Sequence, residues 1–308
     1  MRIVSLSPFI TETVCSLGLN QALVGISHAC NYPHETLSAL PHLTNLRGPS
    51  SGPSALAEKL CSHHLDLEAL AKLAPDKVLI ERHFEEASEQ HKFNAQISAE
   101  LSAWMGKEAA VHSYSPLRLE EVFSFFEILG KDLKSEKRGH EIAQRMKAQF
   151  LDWGDSFYER LRAKKVTFIT GIDPLRLGGF WIPDMIGFVS CSSQNKECGL
   201  SHPETSWEEI QRFKPDVILV APQGLELKEA LASFKWFEKL PGWDDTLAVR
   251  RGEVFFTAGT ECFYRAAPRL TQGMAILVSA MSGLESGYIT PRDSFQRLRW
   301  LEIHRHRF

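Results

Sequence analysis

The sequence predicts an α/β protein made of two similar lobes that are joined by a long helix. Two observations carry this prediction: a strand, turn and helix that open the chain, and an internal repeat of a helix, a Pro-Asp pair and a strand. An apolar stripe between the two copies of the repeat predicts the connecting helix. The expected boundaries are 1–115 for the first lobe, 116–163 for the helical connector, 164–284 for the second lobe and 285–308 for a tail.

The first residues of the chain predict a ligand-binding edge of a sheet. Residues 3–6 are mostly apolar and read as a short buried strand, which Pro8 ends. Apolar residues then follow at helical spacing up to Gly18, which suits the end of a helix. This order places a helix N-terminus at the carboxyl edge of a sheet, where α/β proteins usually bind ligands.

The internal repeat supports the prediction of two lobes. The segment LEALAKLAPDKVLIE at 67–81 aligns without gaps with WEEIQRFKPDVILVA at 207–221. Each segment reads as an amphipathic helix that ends before Pro-Asp, followed by a strand buried on both faces, as in a parallel sheet. Two unrelated segments of this kind would also look alike, and this alternative stays open beside the prediction of two similar lobes.

The connector is predicted from apolar residues that recur at steps of mostly three and four from Leu119 to Leu161. This pattern predicts either one long helix or two abutting helices. A continuous helix of about 25 residues spans roughly 37 Å, which is enough to connect two lobes. The strands predicted on either side are 2–7, 22–27, 77–81 and 109–114 in the first lobe, and 165–170, 216–221 and 253–258 in the second.

Composition and charge exclude several classes of protein. The 308 residues are 44% hydrophobic and 24% charged, as in a globular protein with two cores. A net charge of −3 predicts neither nucleic acid nor an anionic membrane as a partner. No apolar run approaches the roughly 20 residues of a transmembrane helix, so membrane insertion is not expected. As written, the chain shows no export signal and is predicted to be cytoplasmic, or periplasmic or surface-exposed if a leader has been removed.

The cysteines predict free thiols. The six cysteines form no CxxC pair. Cys191 and Cys198 could be bridged or free. An absent export signal favours a reducing compartment, in which thiols stay free. The paired spacing of ligands that zinc sites use is also missing, so no metal site is predicted.

Several segments together resemble one protein family. They are RIVSLSPFITETVCSLGL from Arg2, LVGISHACNYP at 23–33, PETSWEEIQRFKPDVILVAP at 203–222, LPGWDDTLAVRRGEVFFT at 240–257 and FYRAAPRL at 263–270. They are similar to the cobalamin-type substrate-binding proteins of ABC importers, in the class that also carries iron siderophores, here as a leaderless variant. The resemblance implies two Rossmann-like lobes joined by a long rigid helix, with a ligand cleft between the lobes.

The resemblance also implies a function in transport. A member of this family captures one large ligand and docks onto a membrane permease. The implied ligand is a corrinoid such as cobalamin, the implied partner is the permease dimer of an ABC importer, and neither a covalent cofactor nor a catalytic residue is expected. Flat aromatic side chains suit such a ligand, because they bury the area of a macrocycle without requiring directional polar contacts.

Six residues are candidates for contact with the ligand: Tyr32, His28, Trp181, His202, Phe263 and Arg265. Tyr32 and Phe263 match aromatic positions of the family. Arg265 and Arg269 match two arginines of its final loop and helix, and one of them would recognise polar or anionic groups of the ligand. The other arginine would hold the start of the helix.

The remaining candidates have competing interpretations. His202 stands where well-studied members of the family have Trp, so it would stack on the ligand, ligate a metal-centred macrocycle or be a solvated loop histidine. His28 follows a predicted strand of the first lobe at an end that should face the ligand. Trp181 is either a wall of the site or a core residue.

Glu68 and Glu208 occupy the same position in the two copies of the repeat. The resemblance implies that they are docking acids, one on each lobe, for arginines of a two-fold symmetric permease. Both also lie near a predicted helix N-terminus, where a carboxylate is favourable without any partner.

Other functions stay open. The same fold would suit a haem or siderophore carrier, a cytosolic protein that binds or senses a corrinoid or tetrapyrrole without an importer, or a chelatase that inserts metal into a tetrapyrrole. The chain has no G-x-S-x-G, Walker or H-E-x-x-H motif that would favour catalysis. Two departures from the family concern the segment ERHFEEASEQHK at 81–92, which is charged and has no cysteine, and the basic, aromatic tail.

Overall fold

The computed structural model describes residues 1–46, 52–259, 261–284, 290 and 294–298. The chain divides into two compact units, each made of several stretches of sequence. The first unit contains Met1–Pro116, Phe125–Ile142 and Ala266–Pro268, and the second contains Leu117–Ser124, Ala143–Arg265 and Arg269–Phe308.

The first unit is built on a parallel sheet that is buried on both faces. Its strands are β1 (Ile3–Ser5), β2 (Leu23–Ile26), β3 (Thr44–Asn45), β4 (His64–Leu65), β5 (Lys77–Glu81) and β6 (Ala110–Tyr114). The sheet has the order β2-β1-β5-β6 with every pair parallel, while β3 and β4 form a separate antiparallel pair. Apolar runs such as Val78, Leu79 and Ile80 have no exposed surface, which is why this stretch forms a central strand.

Helices cover this sheet and connect its strands. They are α1 (Pro8–Ser16), α2 (His34–Leu37), α3 (Ser54–Leu60), α4 (Leu67–Leu73) and α5 (Ala87–Met105), with a 3-10 turn at Asn20–Ala22. Ser7 is the N-cap residue of α1, and Pro8 occupies the first turn, where its missing N–H costs no hydrogen bond. The predicted strand, turn and helix at the start of the chain are therefore present.

Helix α5 covers the outer edge of β6 with side chains. It presents polar residues at every fourth position along one line, the polar stripe of α5: Gln90, Asn94, Ser98 and Ser102. The Ser98 hydroxyl accepts a hydrogen bond from the Val111 N–H (2.8 Å), and the Gln90 amide donates to the Ser113 carbonyl (2.5 Å). These side chains supply the partners that an edge strand otherwise lacks.

The connecting segment is two helices rather than one. Helix α6 (Leu119–Asp132) and helix α7 (Glu136–Ser156) are separated by a short turn, and each contributes residues to both units. Two glycines bring their backbones together, because a Cβ atom on Gly139 would lie 2.4 Å from the Phe126 carbonyl oxygen and 3.1 Å from the Gly130 Cα atom. Of the two arrangements that the apolar stripe allowed, the structure has the abutting pair.

The second unit repeats the parallel α/β arrangement and extends it. Its elements in chain order are α8 (Tyr158–Leu161), β7 (Lys165–Ile172), β8 (Leu175–Leu177), α9 (Ile182–Phe188), β9 (Ser192–Ser193), α10 (Trp207–Phe213), β10 (Val217–Val220), α11 (Leu227–Ala232), α12 (Phe234–Phe237), α13 (Leu247–Arg250), β11 (Val254–Thr257), α14 (Glu261–Tyr264), α15 (Leu270–Ser282) and β12 (Phe295–Leu298). The sheet order is β12-β11-β10-β7-β8, with β9 paired to β7. The pairs that join β7, β10 and β11 are parallel.

The repeated Pro-Asp pair has the same structural role in both units. In each copy, a seven-residue helix, α4 or α10, precedes a strand of the sheet. The Asp76 carboxylate accepts a hydrogen bond from the Arg2 N–H (2.7 Å), and the Asp216 carboxylate accepts one from the Lys165 N–H (3.0 Å). Each aspartate therefore fixes the start of the neighbouring strand, β1 or β7, and the sequence repeat corresponds to a structural repeat.

Part of the predicted tail belongs to the second sheet. Residues Phe295–Leu298 form β12, which pairs antiparallel with β11, and the Arg297 guanidinium donates to the Gly252 carbonyl (2.7 Å) and to Glu253 (2.6 Å). The sequence analysis expected a tail at 285–308 that is separate from the second lobe, whereas this stretch of it belongs to the second sheet. The rest of it, apart from Thr290 and Ser294, lies outside the described residues.

Candidate ligand-binding site

The carboxyl edge of the first sheet carries polar side chains from three neighbouring strands. Ser7 follows β1, His28 follows β2 and Glu81 is the last residue of β5. The Ser7 hydroxyl donates a hydrogen bond to the Glu81 carboxylate (2.8 Å). Because parallel strands end at one edge, these three side chains lie at the same edge of the sheet. His63 contacts the ring of His28, and Cys61 lies near Glu81. We call this group the carboxyl face of the first unit (Ser7, His28, Cys61, His63 and Glu81).

Glu81 is the acid of this face. Its side chain is exposed, yet the surrounding protein reduces the solvation of the carboxylate and raises its pKa, an effect that the Ser7 hydrogen bond opposes. Burial raises the pKa of the Cys61 thiol. A hydrogen bond from the His63 backbone lowers this pKa, and the nearby negative charge of Glu81 raises it. The Cys61 thiol therefore stays protonated at neutral pH.

His28 lies on the same face as a neutral imidazole. Its Nδ1 atom is 2.7 Å from the Thr44 hydroxyl, and its ring meets the His63 ring edge to face with centroids 4.9 Å apart. Burial lowers the pKa of His28, and the neighbouring imidazoles of His63 and His42 lower it further. The half-buried ring thus offers an uncharged surface at neutral pH.

Tyr32 is the exposed aromatic residue of the loop that leads from β2 to α2. Its side chain is 42% exposed, although large aromatic residues are usually more buried. It lies four residues after His28, in the loop that leaves the carboxyl end of β2. An aromatic side chain with exposed surface therefore lies in this loop, and contact of Tyr32 with a ligand stays a prediction.

In the second unit, three aromatic side chains meet beyond the end of β8. The His202 ring packs edge to face against Phe180 (centroids 5.2 Å apart) and against Tyr264 (5.5 Å). Phe180 has a φ of 52°, which is uncommon for a residue with a side chain and costs free energy. The Tyr264 hydroxyl donates to the Ala221 carbonyl at the end of β10, so the cluster is tied to the carboxyl edge of the second sheet.

Two predicted residues of the second unit have too little surface to contact a ligand. Phe263 is 0% exposed and packs against Phe168, and Trp181 is 7% exposed, with its indole N–H donating to the Phe263 carbonyl (2.9 Å). We therefore correct the expectation: these residues form the core beneath the edge. Half-buried Phe180 and Tyr264, their immediate neighbours in sequence, have the accessible surface instead.

His202 is engaged through its ring nitrogens. Its Nδ1 atom accepts a hydrogen bond from the Gly179 N–H (2.8 Å), so Nε2 carries the proton of the neutral ring. Burial lowers its pKa, and a hydrogen bond with the Leu177 backbone acts in the opposite direction. This arrangement leaves no lone pair for a metal and gives His202 a role in positioning the 178–180 loop. Arg265 lies directly after α14 and is half-buried.

Within the part of the chain that the structure describes, no group of three or more His, Cys, Asp or Glu residues is arranged to hold a metal ion. All six cysteines lie among the described residues, and they form no disulfide bond with one another. Among the same residues, no helix is both long enough and apolar enough to cross a membrane.

Comparison with known proteins identifies the family. The family described as periplasmic binding protein matches residues 3–259 of the chain. The chain belongs to the periplasmic binding protein family. This confirms the resemblance inferred from the sequence segments and the α/β fold that it implied. Periplasmic binding proteins bind solutes and act in transport rather than as enzymes.

Two relatives and one solved structure show how the chain relates to other proteins. YvrC of Bacillus subtilis strain 168, an uncharacterised ABC transporter substrate-binding lipoprotein, is 22% identical over 294 residues, which cover 91% of this chain and 79% of that protein. A vitamin B12-binding protein of Yersinia pestis strain Pestoides F is 22% identical over 276 residues, covering 89% and 86%. A periplasmic haem-binding protein of Pseudomonas aeruginosa has a TM-score of 0.66 at 21% identity, covering 97% and 98%, which shows a shared fold.

The two predicted docking acids of this periplasmic binding protein are both exposed. Glu68 is the second residue of α4, and Glu208 is the second residue of α10. The caps of these helices come from other side chains: Asp66 accepts from the Ala69 N–H (2.9 Å), and Ser206 forms a capping box with the third residue of α10. Other side chains therefore cap the N-termini of both helices.

Sequence reasoning missed three residues of these faces. Glu81 ends the predicted strand 77–81 and begins the charged segment 81–92, and an acid at the end of an apolar strand marks a carboxyl edge. Phe180 lies within the segment GGFWIP, where the neighbouring Trp181 attracted the prediction. Tyr264 follows Phe263, and only the structure shows which of two adjacent aromatic rings faces the core.

Proposed function

We propose that this periplasmic binding protein is the substrate-binding component of an ABC importer and that its ligand is a corrinoid of the cobalamin type. The family supports the first part, and the relative that is named for vitamin B12 binding supports the second. The observation that carries the proposal is the exposed ring of Tyr32, in the loop that leaves the carboxyl end of β2 after His28. In this proposal the protein binds its ligand without altering it.

A single substitution tests the contribution of Tyr32. Tyr32→Ala should weaken the binding of cyanocobalamin by about 1–2 kcal/mol, because an aromatic contact and its buried area are lost. Isothermal titration calorimetry measures this change. Tyr158→Ala is the matched control, since Tyr158 is similarly exposed (46%) but lies on α8, before the first strand of the second sheet.

The outcomes of this titration separate the alternatives. An unchanged affinity in Tyr32→Ala would remove Tyr32 from the site. Wild-type protein that binds hemin but not cyanocobalamin would replace the corrinoid with a haem ligand, which the fold also accommodates in the Pseudomonas aeruginosa protein. An absorbance spectrum of protein purified from its own host provides an independent identification.

The importer is tested through Glu68 and Glu208. Reversing both charges, Glu68→Lys with Glu208→Lys, should abolish association with the cognate permease and leave ligand affinity unchanged. Glu108→Lys, which alters another exposed acid, is the control. If the double variant still binds the permease, the two glutamates are not docking acids. If the wild-type protein binds no permease, the protein acts as a binder without an importer.

A further inference from the structure

We infer that Glu81 determines ligand specificity at the proposed site: its carboxylate accepts hydrogen bonds from the amide groups of the ligand and disfavours ligands that carry a carboxylate at the same place. This inference rests on the proposed function, because it concerns the same ligand and the same carboxyl face. It adds a residue that neither the family resemblance nor the relatives assign.

The geometry leaves Glu81 with acceptor capacity. Ser7 donates to one carboxylate oxygen, Oε2, at 2.8 Å, and the residue is exposed at the end of β5. An ionised carboxylate offers about four lone-pair positions on two oxygens, so one hydroxyl donor does not saturate it. The Ser7 contact fixes the direction of the carboxylate, and the accessible remainder can accept donors from a bound molecule.

The repeat shows that the fold itself does not need an acid here. Glu81 is the last position of the first repeat, and the matching position of the second repeat is Ala221. Both copies form the same helix, Pro-Asp pair and strand, so the strand ends equally well with an alanine. In the second unit, the Ala221 carbonyl accepts a hydrogen bond from the Tyr264 hydroxyl. The acid therefore distinguishes the face of the first unit from that of the second.

The groups around Glu81 in the first unit do not form a binding site for an anion. Arg82, the next residue, donates to the Glu58 carbonyl (3.2 Å) and lies over the Phe93 ring, so its guanidinium is engaged elsewhere. His28 is neutral at neutral pH because its pKa is lowered. The N-terminus of α1 would favour an anion, yet its N-cap residue, Ser7, already holds the Glu81 carboxylate.

The negative charge of Glu81 favours macrocycles whose peripheral groups donate hydrogen bonds over macrocycles whose peripheral groups are anionic. The corrin ring of cobalamin carries primary amides, whose N–H groups form strong, charge-assisted hydrogen bonds with a carboxylate. Haem carries propionates, and two carboxylates at one site repel each other or force one to take up a proton. The carboxyl face of the first unit therefore suits an amide-bearing ligand.

A set of nearly identical ligands tests this inference. Cyanocobalamin is compared with its three monocarboxylic acids, in each of which one ring propionamide has been hydrolysed to a carboxylate. With the wild-type protein, at least one of the three acids should bind about tenfold or more weakly than cyanocobalamin. In Glu81→Gln this penalty should shrink by at least about threefold, and the affinity for cyanocobalamin should fall by about fivefold, because a neutral acceptor replaces a charged one.

Glu85→Gln is the matched control, since Glu85 is an exposed acid on the loop after β5, and it should change none of these affinities. Circular dichroism verifies that each variant is folded. The inference is overturned if Glu81→Gln leaves either the carboxylate penalty or the cyanocobalamin affinity unchanged. Wild-type protein that does not bind cyanocobalamin refutes the proposed function, and the inference falls with it.

Discussion

Replacing Gly139 by alanine tests the close contact between α6 and α7. The added Cβ atom would lie 2.4 Å from the Phe126 carbonyl oxygen, whereas ordinary contacts between carbon and oxygen begin at about 3.3 Å. The obstacle is backbone and cannot rotate away, so the helices must separate by roughly 0.9 Å. Overpacking of this kind costs about 1–3 kcal/mol, and the better helix propensity of alanine returns at most about 1 kcal/mol. We expect Gly139→Ala to lower the free energy of unfolding by about 1–2 kcal/mol.

The control for this variant changes stability in the opposite direction. Gly187 lies in helix α9, and no neighbouring atom stands within 4 Å of the position of its added Cβ. Gly187→Ala should therefore raise the free energy of unfolding by about 0.5–1 kcal/mol through helix propensity alone. Urea unfolding followed by far-ultraviolet circular dichroism measures both variants. If Gly139→Ala is as stable as Gly187→Ala, the backbones of α6 and α7 do not approach each other as described.

Two further substitutions probe hydrogen bonds that the structure places in each unit. Ser98→Ala removes the hydrogen-bond partner of the Val111 N–H, so it should lower the free energy of unfolding by about 1–2 kcal/mol and speed hydrogen exchange of that amide. Ser88→Ala, at the exposed start of α5, is the control and should change the free energy of unfolding by less than about 0.5 kcal/mol. Equal effects of the two would contradict the edge contact. Burial lowers the pKa of His202 from 6.5, so the unfolded chain binds the proton first as the pH falls. The free energy of unfolding should therefore decrease as the pH is lowered below about 6.5, and less steeply in His202→Asn, whose side chain still accepts from Gly179; equal slopes would refute this.

The sequence predicted the layered α/β architecture because its signals are local. A buried strand such as β5 is a continuous apolar run, and the Pro-Asp pair before it ends one element and begins the next, so both can be read along the chain. The added strands β8, β9 and β12 were not predicted. They are short or depend on pairing with a distant strand, as β12 does with β11, and pairing of that kind leaves no periodic pattern.

The candidate site was predictable by region and less so by residue. The strand ends near His28 and Tyr32 follow from the order of strand and loop, and the structure leaves His28 half-buried and Tyr32 exposed. Phe263 and Tyr264 are adjacent aromatic residues, and which of them is buried depends on tertiary neighbours such as Phe168. Sequence patterns give the place of such a pair but not the rotation of the short helix that carries it.

The polar stripe of α5 determines how other molecules can approach the first sheet. An open edge strand presents unpaired backbone groups, and peptides or further copies of a chain can add to it as an extra strand. At β6 the Val111 N–H and the Ser113 carbonyl are already bonded to side chains of α5. Addition of a strand at this edge would require these bonds to break. The helix thus protects a protein built of short parallel strands from aggregation along this edge, and a partner that approaches there must recognise side chains rather than backbone.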